Sequence, residues 1–180
     1  MSNEIPDTKT KYLDAMRAAI EAQSVRALPW LRELRQAALA GFETRGLPTN
    51  HDEDWKYTDI RPIERAAFMP PPAASEIVSR IEGVSIGGLE PHRLVFVDGR
   101  LARSLSQTSS LPAGVTALSL ASALTEHHTV LESHLGRGAP AEGGFVALNT
   151  ALISDGAFIH LAAGVVLDQP IHVMYVTTSG

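Results

Sequence analysis

The sequence predicts an α+β fold in which an amino-terminal helical domain and a small strand-containing region lead into the first rungs of a parallel β-helix. Two stretches with apolar residues at helical spacing fill residues 8–45, and Asp98-Gly99 between apolar runs marks a hairpin. From residue 143 the chain is almost free of charge and breaks into short β-branched runs, which are residues 157–161, 165–167 and 171–178. Short strands joined by tight corners are typical of a β-helix. We expect three consecutive regions, residues 1–72, 73–142 and 143–180.

The bulk composition excludes several classes of function. The 180 residues suffice for one domain or two small ones, and their net charge of −5 argues against a nucleic-acid or anionic-membrane partner. Because the chain has no cysteine, it has neither disulfides nor thiolate ligands for a metal centre. The first ten residues lack a signal-peptide pattern and no apolar run reaches ~18 residues, so we expect a cytoplasmic protein without a membrane span.

The first region opens with two predicted helices that form an αα-hairpin. The first covers residues 8–23, where Tyr12, Met16 and Ile20 lie on one apolar stripe. The second covers residues 29–45, because Pro29 suits a first helical turn and Gly46 suits the position after a helix end. We interpret the apolar faces as packing surfaces rather than as the walls of a binding groove.

Residues 47–72 are the most distinctive in composition. Trp55 and Tyr57 follow four potential metal ligands, which are His51, Asp52, Glu53 and Asp54. Four adjacent side chains cannot all converge on one ion, so a metal site is disfavoured. We expect Asp52 to cap a short helical turn, and Trp55 and Tyr57 to pin that turn against the helical hairpin. Ligand binding by the two rings is the alternative.

The second region combines predicted strands and helices. We expect a short helix near residues 75–81, a hairpin over residues 94–101, a strand over residues 115–118 and a helix over residues 121–135 capped by Ser119. The last helix carries three histidines, His127, His128 and His134. His127 and His134 are two turns apart, ~10 Å along the axis, which is too far for one ion. We therefore expect solvent-facing or interface histidines.

The third region contains a predicted helix over residues 145–152, the break at Asp155-Gly156 and the terminal strands. Its ionisable groups could in principle form an acid–base set, and they are Asp155, His160, Asp168 and His172. Side chains alternate between the two faces of a strand, so we place the histidines on the outer face or beside a neighbouring subunit. No nucleophile-elbow, phosphate-loop, zinc-protease or dinucleotide motif occurs. We predict no catalytic, cofactor-binding or metal-binding residue, and no enzyme.

Four motifs follow one another between residues 47 and 178. They are Trp55-Lys56-Tyr57-Thr58-Asp59 after acidic residues, Phe96-Val97-Asp98-Gly99, residues 145–159 and residues 164–171. Their order and spacing resemble the amino-terminal part of the SufB/SufD family, the scaffold subunits of the SUF iron–sulfur cluster assembly machinery. The tryptophan motif and the Phe-Val-Asp-Gly hairpin favour SufD over SufB.

The resemblance implies a helical amino-terminal domain, a right-handed parallel β-helix and a helical carboxy-terminal region in a non-catalytic scaffold subunit. For a full-length member it also implies SufB and SufC as partners, with the iron–sulfur cluster belonging to the complex and no cofactor on this chain. The resemblance covers only the amino-terminal part. We therefore expect a fragment without the SufC-binding carboxy-terminal part, and we transfer no functional residue.

The open end of a β-helix is a template for strand pairing, which predicts self-association through residues 157–178. Two other functions compete with the scaffold. One is an isolated protein–protein interaction module without a role in cluster chemistry. The other is a β-helix enzyme acting on polysaccharide, which the 6% aromatic content and the missing secretion signal disfavour.

Overall fold

The computed structural model describes residues 8–24, 28–66, 92–139 and 143–178, which fall into two compact units. The helical unit comprises the described residues up to 66 together with those within 129–153. The strand unit comprises residues 92–128 and 154–178. Each unit is therefore built from two segments that are far apart in the sequence. The helix predicted near residues 75–81 lies outside the described residues.

Helices and strands are both present, which confirms the predicted α+β class. In chain order the helices are α1 (Thr8–Ser24), α2 (Pro29–Arg45), α3 (Arg61–Arg65), α4 (Leu120–Glu126), α5 (His128–His134) and α6 (Gly144–Ala151). The strands are β1 (His92–Val97), β2 (Arg100–Leu101), β3 (Val115–Ser119), β4 (Ala157–Leu161) and β5 (Ile171–Val176). Within the ranges that the structure describes, no helix has the length and apolar character needed to span a bilayer.

The helical unit has a core formed by α1, α2 and α6. Its fully or nearly buried members are Tyr12, Met16, Ala38, Phe42, Ala147 and Ala151. The Tyr12 and Phe42 rings meet edge to face, with centroids 6.3 Å apart, and the Tyr12 hydroxyl donates to the Ile63 carbonyl. The predicted αα-hairpin is confirmed, and α2 has the predicted bounds. Gly46 ends it with a φ of 69°, and its N–H donates to the Phe42 carbonyl oxygen.

One charged residue of α2 lies inside the helical unit. Arg35 is only 3% exposed, and its Nη2 donates to the Ile153 carbonyl oxygen at 2.6 Å. Burial lowers the pKa of its guanidinium. The arginine thus ties α2 to the segment that leaves α6. The sequence pattern places this position among the apolar residues of the helix face, so the contact could not be anticipated.

The strand unit begins with the predicted hairpin, which is confirmed. Asp98 and Gly99 have φ angles of 47° and 78°, and they connect β1 to β2 with Val97 opposite Arg100. Positive φ at both central residues is the geometry of the two-residue turn that Asp-Gly favours. Asp98 also accepts hydrogen bonds from the backbone N–H and the hydroxyl of Thr178. The turn therefore holds the residues that follow β5.

The two last strands pair with strands from much earlier in the chain. β5 lies parallel to β1 over six residues, from His92 opposite Ile171 to Val97 opposite Val176. β4 lies antiparallel to β3, with Val115 opposite Leu161. The unit thus contains a three-stranded sheet of order β2-β1-β5 and a two-stranded sheet of β3 and β4. β4 and β5 each lie at the edge of their sheet.

One sequence expectation for this part of the chain requires correction. Residues 165–167 are not a strand. The chain turns there, Val165 N–H donates to the Ala162 carbonyl, and Val166 is 79% exposed. The strands that do form pair with β1 and β3, so no stack of parallel coils is present among the described residues. The β-branched composition predicts strands but does not specify their partners.

The helix expected over residues 121–135 is divided into α4 and α5. Ser119 caps α4 as predicted, since its hydroxyl accepts the Ser122 N–H at 3.0 Å. His127 then leaves the helical conformation, with φ −130° and ψ 28°, and its ring stacks on Phe158 with centroids 5.2 Å apart. His127 and His134 therefore do not lie on one continuous helix.

Candidate functional site

The segment of the strongest sequence motif, residues 49–58, is called here the tryptophan turn. It contains a 3₁₀ helix over Glu53–Trp55, as the acidic residues predicted. Asp52 occupies the position before this helix but does not cap it. Its carboxylate accepts the backbone N–H of Thr49 at 2.7 Å and the Thr49 hydroxyl at 3.1 Å. The backbone hydrogen bond from Thr49 is the largest cause of the lowered pKa of Asp52. The carboxylate thus holds together the loop from Thr49 to Asp52 that precedes the 3₁₀ helix.

The two aromatic residues of the turn have different environments. Trp55 is half-buried against Phe145 of α6, with ring centroids 5.2 Å apart and planes inclined by 46°. Tyr57 is 92% exposed, and the Lys56 Nζ lies 5.6 Å from its ring centroid. The expectation that both rings pin the turn to the helical hairpin is therefore wrong, because Tyr57 is exposed and the Trp55 ring contacts α6. Trp55 packs on α6.

Replacing Trp55 by alanine is expected to lower the free energy of unfolding by about 1–3 kcal/mol, because it removes apolar burial and an aromatic pair. Urea unfolding followed by far-ultraviolet circular dichroism measures the change. Tyr57→Ala is the matched control, since loss of an exposed ring typically changes stability by less than about 0.5 kcal/mol. Equal effects of the two substitutions would contradict the assigned environments.

The tryptophan turn is followed by Asp59, whose negative charge is stabilised by Arg61. Asp59 accepts three hydrogen bonds from Arg61, one from its backbone N–H at 3.0 Å and two from its guanidinium, both at 2.8 Å. The side-chain hydrogen bond lowers the pKa of Asp59 from 3.8 to about 2. The pair lies at the start of α3 and is exposed to solvent.

Replacing Arg61 by glutamine is expected to return the pKa of Asp59 towards 3.8. Because the folded-state pKa is the lower one, the pair supports the fold above the unfolded pKa of roughly 3.9 and loses this effect as the pH falls towards 2. Carbon-13 NMR titration of the Asp59 carboxyl measures the pKa. Arg65→Gln is the control, because Arg65 contributes only a weak long-range attraction. A midpoint unchanged by Arg61→Gln would refute the assignment.

Two open grooves flank the tryptophan turn in the helical unit. The acidic groove has a volume of about 420 Å³, and its walls include Asp52, Glu53, Asp54, Trp55 and Phe145. The tyrosine groove has a volume of about 500 Å³, and its walls include Lys56, Tyr57, Asp59, Arg61 and Glu64. The walls of the first also include Arg45 and the Trp55 and Phe145 rings, so both grooves carry both signs of charge.

The residues considered as metal ligands do not come together. Within the described ranges, no group of three histidine, aspartate or glutamate side chains is arranged to hold an ion. The His51 backbone N–H donates to the Thr49 hydroxyl, and the ring of His134 hydrogen-bonds Ser133 and the Val130 carbonyl. His128 begins α5 and is exposed.

The four residues considered as an acid–base set are also separate. Asp155 accepts three backbone N–H groups, whereas Asp168 is exposed in the loop before β5. His160 stacks on Phe158, on which His127 also stacks, and His172 lies opposite Arg93 in the sheet. No hydrogen bond or ion pair joins these four side chains in the part of the chain that is described.

Comparison with known proteins relates the chain to the same family by two routes, a family model and individual relatives. The family model described as SufBD protein N-terminal region matches residues 6–173. The iron–sulfur cluster assembly SufBD family protein slr0076 of Synechocystis sp. is 29% identical over 143 residues, covering 79% of this chain and 32% of the relative. The family protein slr0074 of the same organism is 27% identical over 155 residues, covering 86% of this chain and 25% of the relative.

The chain therefore spans about a third of the length of one relative and a quarter of the other. The family match includes the tryptophan turn, the Asp-Gly hairpin, α6 and β4, the elements whose motifs carried the resemblance. It extends over nearly the whole described sequence. The chain belongs to the SufBD family, whose role is in iron–sulfur cluster assembly, and it contains the family's amino-terminal region.

Proposed function

We propose that this chain is the amino-terminal part of a non-catalytic scaffold subunit of the SUF iron–sulfur cluster assembly machinery, of the SufD rather than the SufB type. The family match over residues 6–173 carries the proposal. The two Synechocystis relatives are themselves named iron–sulfur cluster assembly proteins, which supports the same process here. The SufD assignment rests on the tryptophan motif and on the Phe96-Val97-Asp98-Gly99 hairpin.

In this proposal β4 and β5 open a right-handed parallel β-helix that continues in a longer chain. One edge of each strand is occupied by β3 or β1, and the other edge has no partner strand among the described residues. Ile159 and Leu161 of β4 are 42% and 40% exposed. An open edge beside exposed apolar side chains favours the addition of a further strand. The greater length of the relatives is consistent with such a continuation.

The proposal implies a cytoplasmic complex in which the full-length subunit associates with SufB and SufC. The iron–sulfur cluster is then the cargo of the complex, and this chain holds no resident cofactor. Where the following coil is absent, the open edges of residues 157–178 would support self-association instead. Both outcomes use the same unpaired backbone groups.

A second function, a protein–protein interaction module without a role in cluster chemistry, is favoured by one observation. Tyr57 is 92% exposed at the rim of the tyrosine groove, although it lies within the strongest motif. Exposed tyrosines beside a groove are frequent anchors of protein interfaces. This module would bind a partner through the helical unit alone.

Gene deletion in the native organism separates the two functions. Under iron limitation we expect the deletion to reduce the activity of iron–sulfur enzymes, while enzymes without a cluster keep theirs. The full gene should restore the activity, and the same gene lacking the segment encoding residues 1–180 should not. Unchanged activity of iron–sulfur enzymes in the deletion strain would contradict the scaffold function and favour the module.

A further inference from the structure

We propose that the strand unit carries a binding site for a small aliphatic carboxylate, in a cavity of about 160 Å³ called here the Arg103 cavity. The cavity lies between the β1–β2 hairpin and the β3–α4 junction. Its walls include Leu94, Leu101, Arg103, Thr108, Ala117 and Ser122. The inference is independent of the proposed assembly function, because it rests only on the side chains of this unit.

The charge of the cavity favours an anion. Among the described residues, the exposed Arg103 is the one charged side chain in its walls, and the neighbouring Asp155 carboxylate is already engaged by the N–H groups of Leu101 and Ala121. Its Nη2 donates to the Ser122 hydroxyl at 3.4 Å, and its guanidinium forms no ion pair within the described residues. An arginine presents several N–H donors in a planar fork that matches a carboxylate. The guanidinium therefore retains donors for a ligand.

Two hydroxyl groups supplement the guanidinium. Ser122 Oγ accepts from Arg103 and from Ser119 Oγ, the latter at 3.1 Å, so its own proton is left to donate. The Ser122 backbone N–H is bonded to Ser119 Oγ, which fixes the serine at the cavity wall. The Thr108 hydroxyl makes no hydrogen bond in the part of the chain that is described. The cavity thus offers three donor groups, one guanidinium and two hydroxyls, to one anion.

The rest of the wall defines the other end of the ligand. The half-buried Leu101 and Leu118 supply its open apolar surface, whereas Leu94 and Ala117 are buried in an apolar cluster of the strand unit. The cavity is smaller than the roughly 300–1,000 Å³ typical of sites for drug-sized molecules. A carboxylate with a short alkyl group fits the small volume and the mixed wall. Its carboxylate would pair with the Arg103 guanidinium, and its carbons would contact the leucine side chains.

Nitrogen-15 NMR of the 180-residue chain tests the site with sodium isobutyrate as the probe at constant ionic strength. We expect saturable shifts of the Leu94, Arg103 and Ser122 amides. Arg103→Gln should weaken the affinity by about tenfold or more, which is the effect of losing a charge-assisted hydrogen bond. Arg100→Gln is the matched control, since this exposed arginine of the same hairpin does not line the cavity. It should bind as the wild type does.

Two further titrations distinguish the chemistry. Isobutyramide, which has the same shape without the charge, should produce no saturable shifts. Inorganic phosphate should bind more weakly than isobutyrate, because it does not cover the apolar wall. Linear shifts with isobutyrate, equal affinities of Arg103→Gln and the wild type, equal binding of the amide, or tighter binding of phosphate would each overturn the proposal.

Discussion

Replacing Phe42 by alanine is expected to lower the free energy of unfolding of the helical unit by about 3–5 kcal/mol. Phe42 has no exposed surface, and it lies where α1, α2 and α6 meet. Its removal deletes the contact with the Tyr12 ring and leaves a cavity. The cavity persists because α1, α2 and α6 are closely packed and cannot fully collapse into it. Since a domain is typically stable by only about 5–15 kcal/mol, this loss is a large part of the total.

Tryptophan fluorescence during urea unfolding is a specific probe for this prediction, because Trp30 and Trp55 are the only tryptophans and both lie in the helical unit. Phe42→Leu is the control, since a leucine refills much of the space and should cost clearly less than Phe42→Ala. If Phe42→Ala and Phe42→Leu had equal midpoints, the core of this unit would lie elsewhere.

Replacing Asp155 by alanine is expected to destabilise the strand unit by about 2–4 kcal/mol. Its Oδ2 accepts the Leu101 N–H at 3.2 Å, and its Oδ1 accepts the N–H groups of Ala121 and Gly156 at 3.0 and 2.9 Å. One half-buried carboxylate therefore connects β2, the start of α4 and the approach to β4. Without it, three backbone donors lose a charged acceptor, and hydrogen bonds to charged groups contribute more than neutral ones.

Hydrogen exchange measured by mass spectrometry monitors this unit, which contains no tryptophan. We expect faster exchange in peptides that cover β1, β3 and β4 of Asp155→Ala. Asp168→Ala removes an exposed carboxylate with the same charge and should leave exchange unchanged. A uniform effect of both substitutions would show that net charge, rather than the hydrogen bonds of Asp155, determines the stability.

Local features of the chain could be predicted where the residues specify the geometry themselves. Pro29 and Gly46 delimit α2, and Asp98-Gly99 supplies the positive φ angles of the hairpin. The partners of the strands could not be predicted. β5 pairs with β1 almost eighty residues earlier, and β4 pairs with β3, and such pairing depends on tertiary packing that a local pattern does not contain.

The candidate sites show the same distinction. Chain geometry alone prevents His51 and its three acidic neighbours from converging on one ion, whereas the exposure of Tyr57 depends on where the tryptophan turn packs. The Arg103 cavity joins β1, β2, β3 and α4, so no spacing in the sequence identifies it. Asp155 was considered for acid–base chemistry, but its carboxylate is used by three backbone N–H groups.

Native mass spectrometry of the protein purified from its own cells tests the central claim most directly. The scaffold proposal predicts a product much heavier than the 19.3 kDa of this chain, whose sequence continues past Gly180 and which co-purifies with SufB- and SufC-type subunits. A native product of 19.3 kDa that associates with neither subunit would contradict the account.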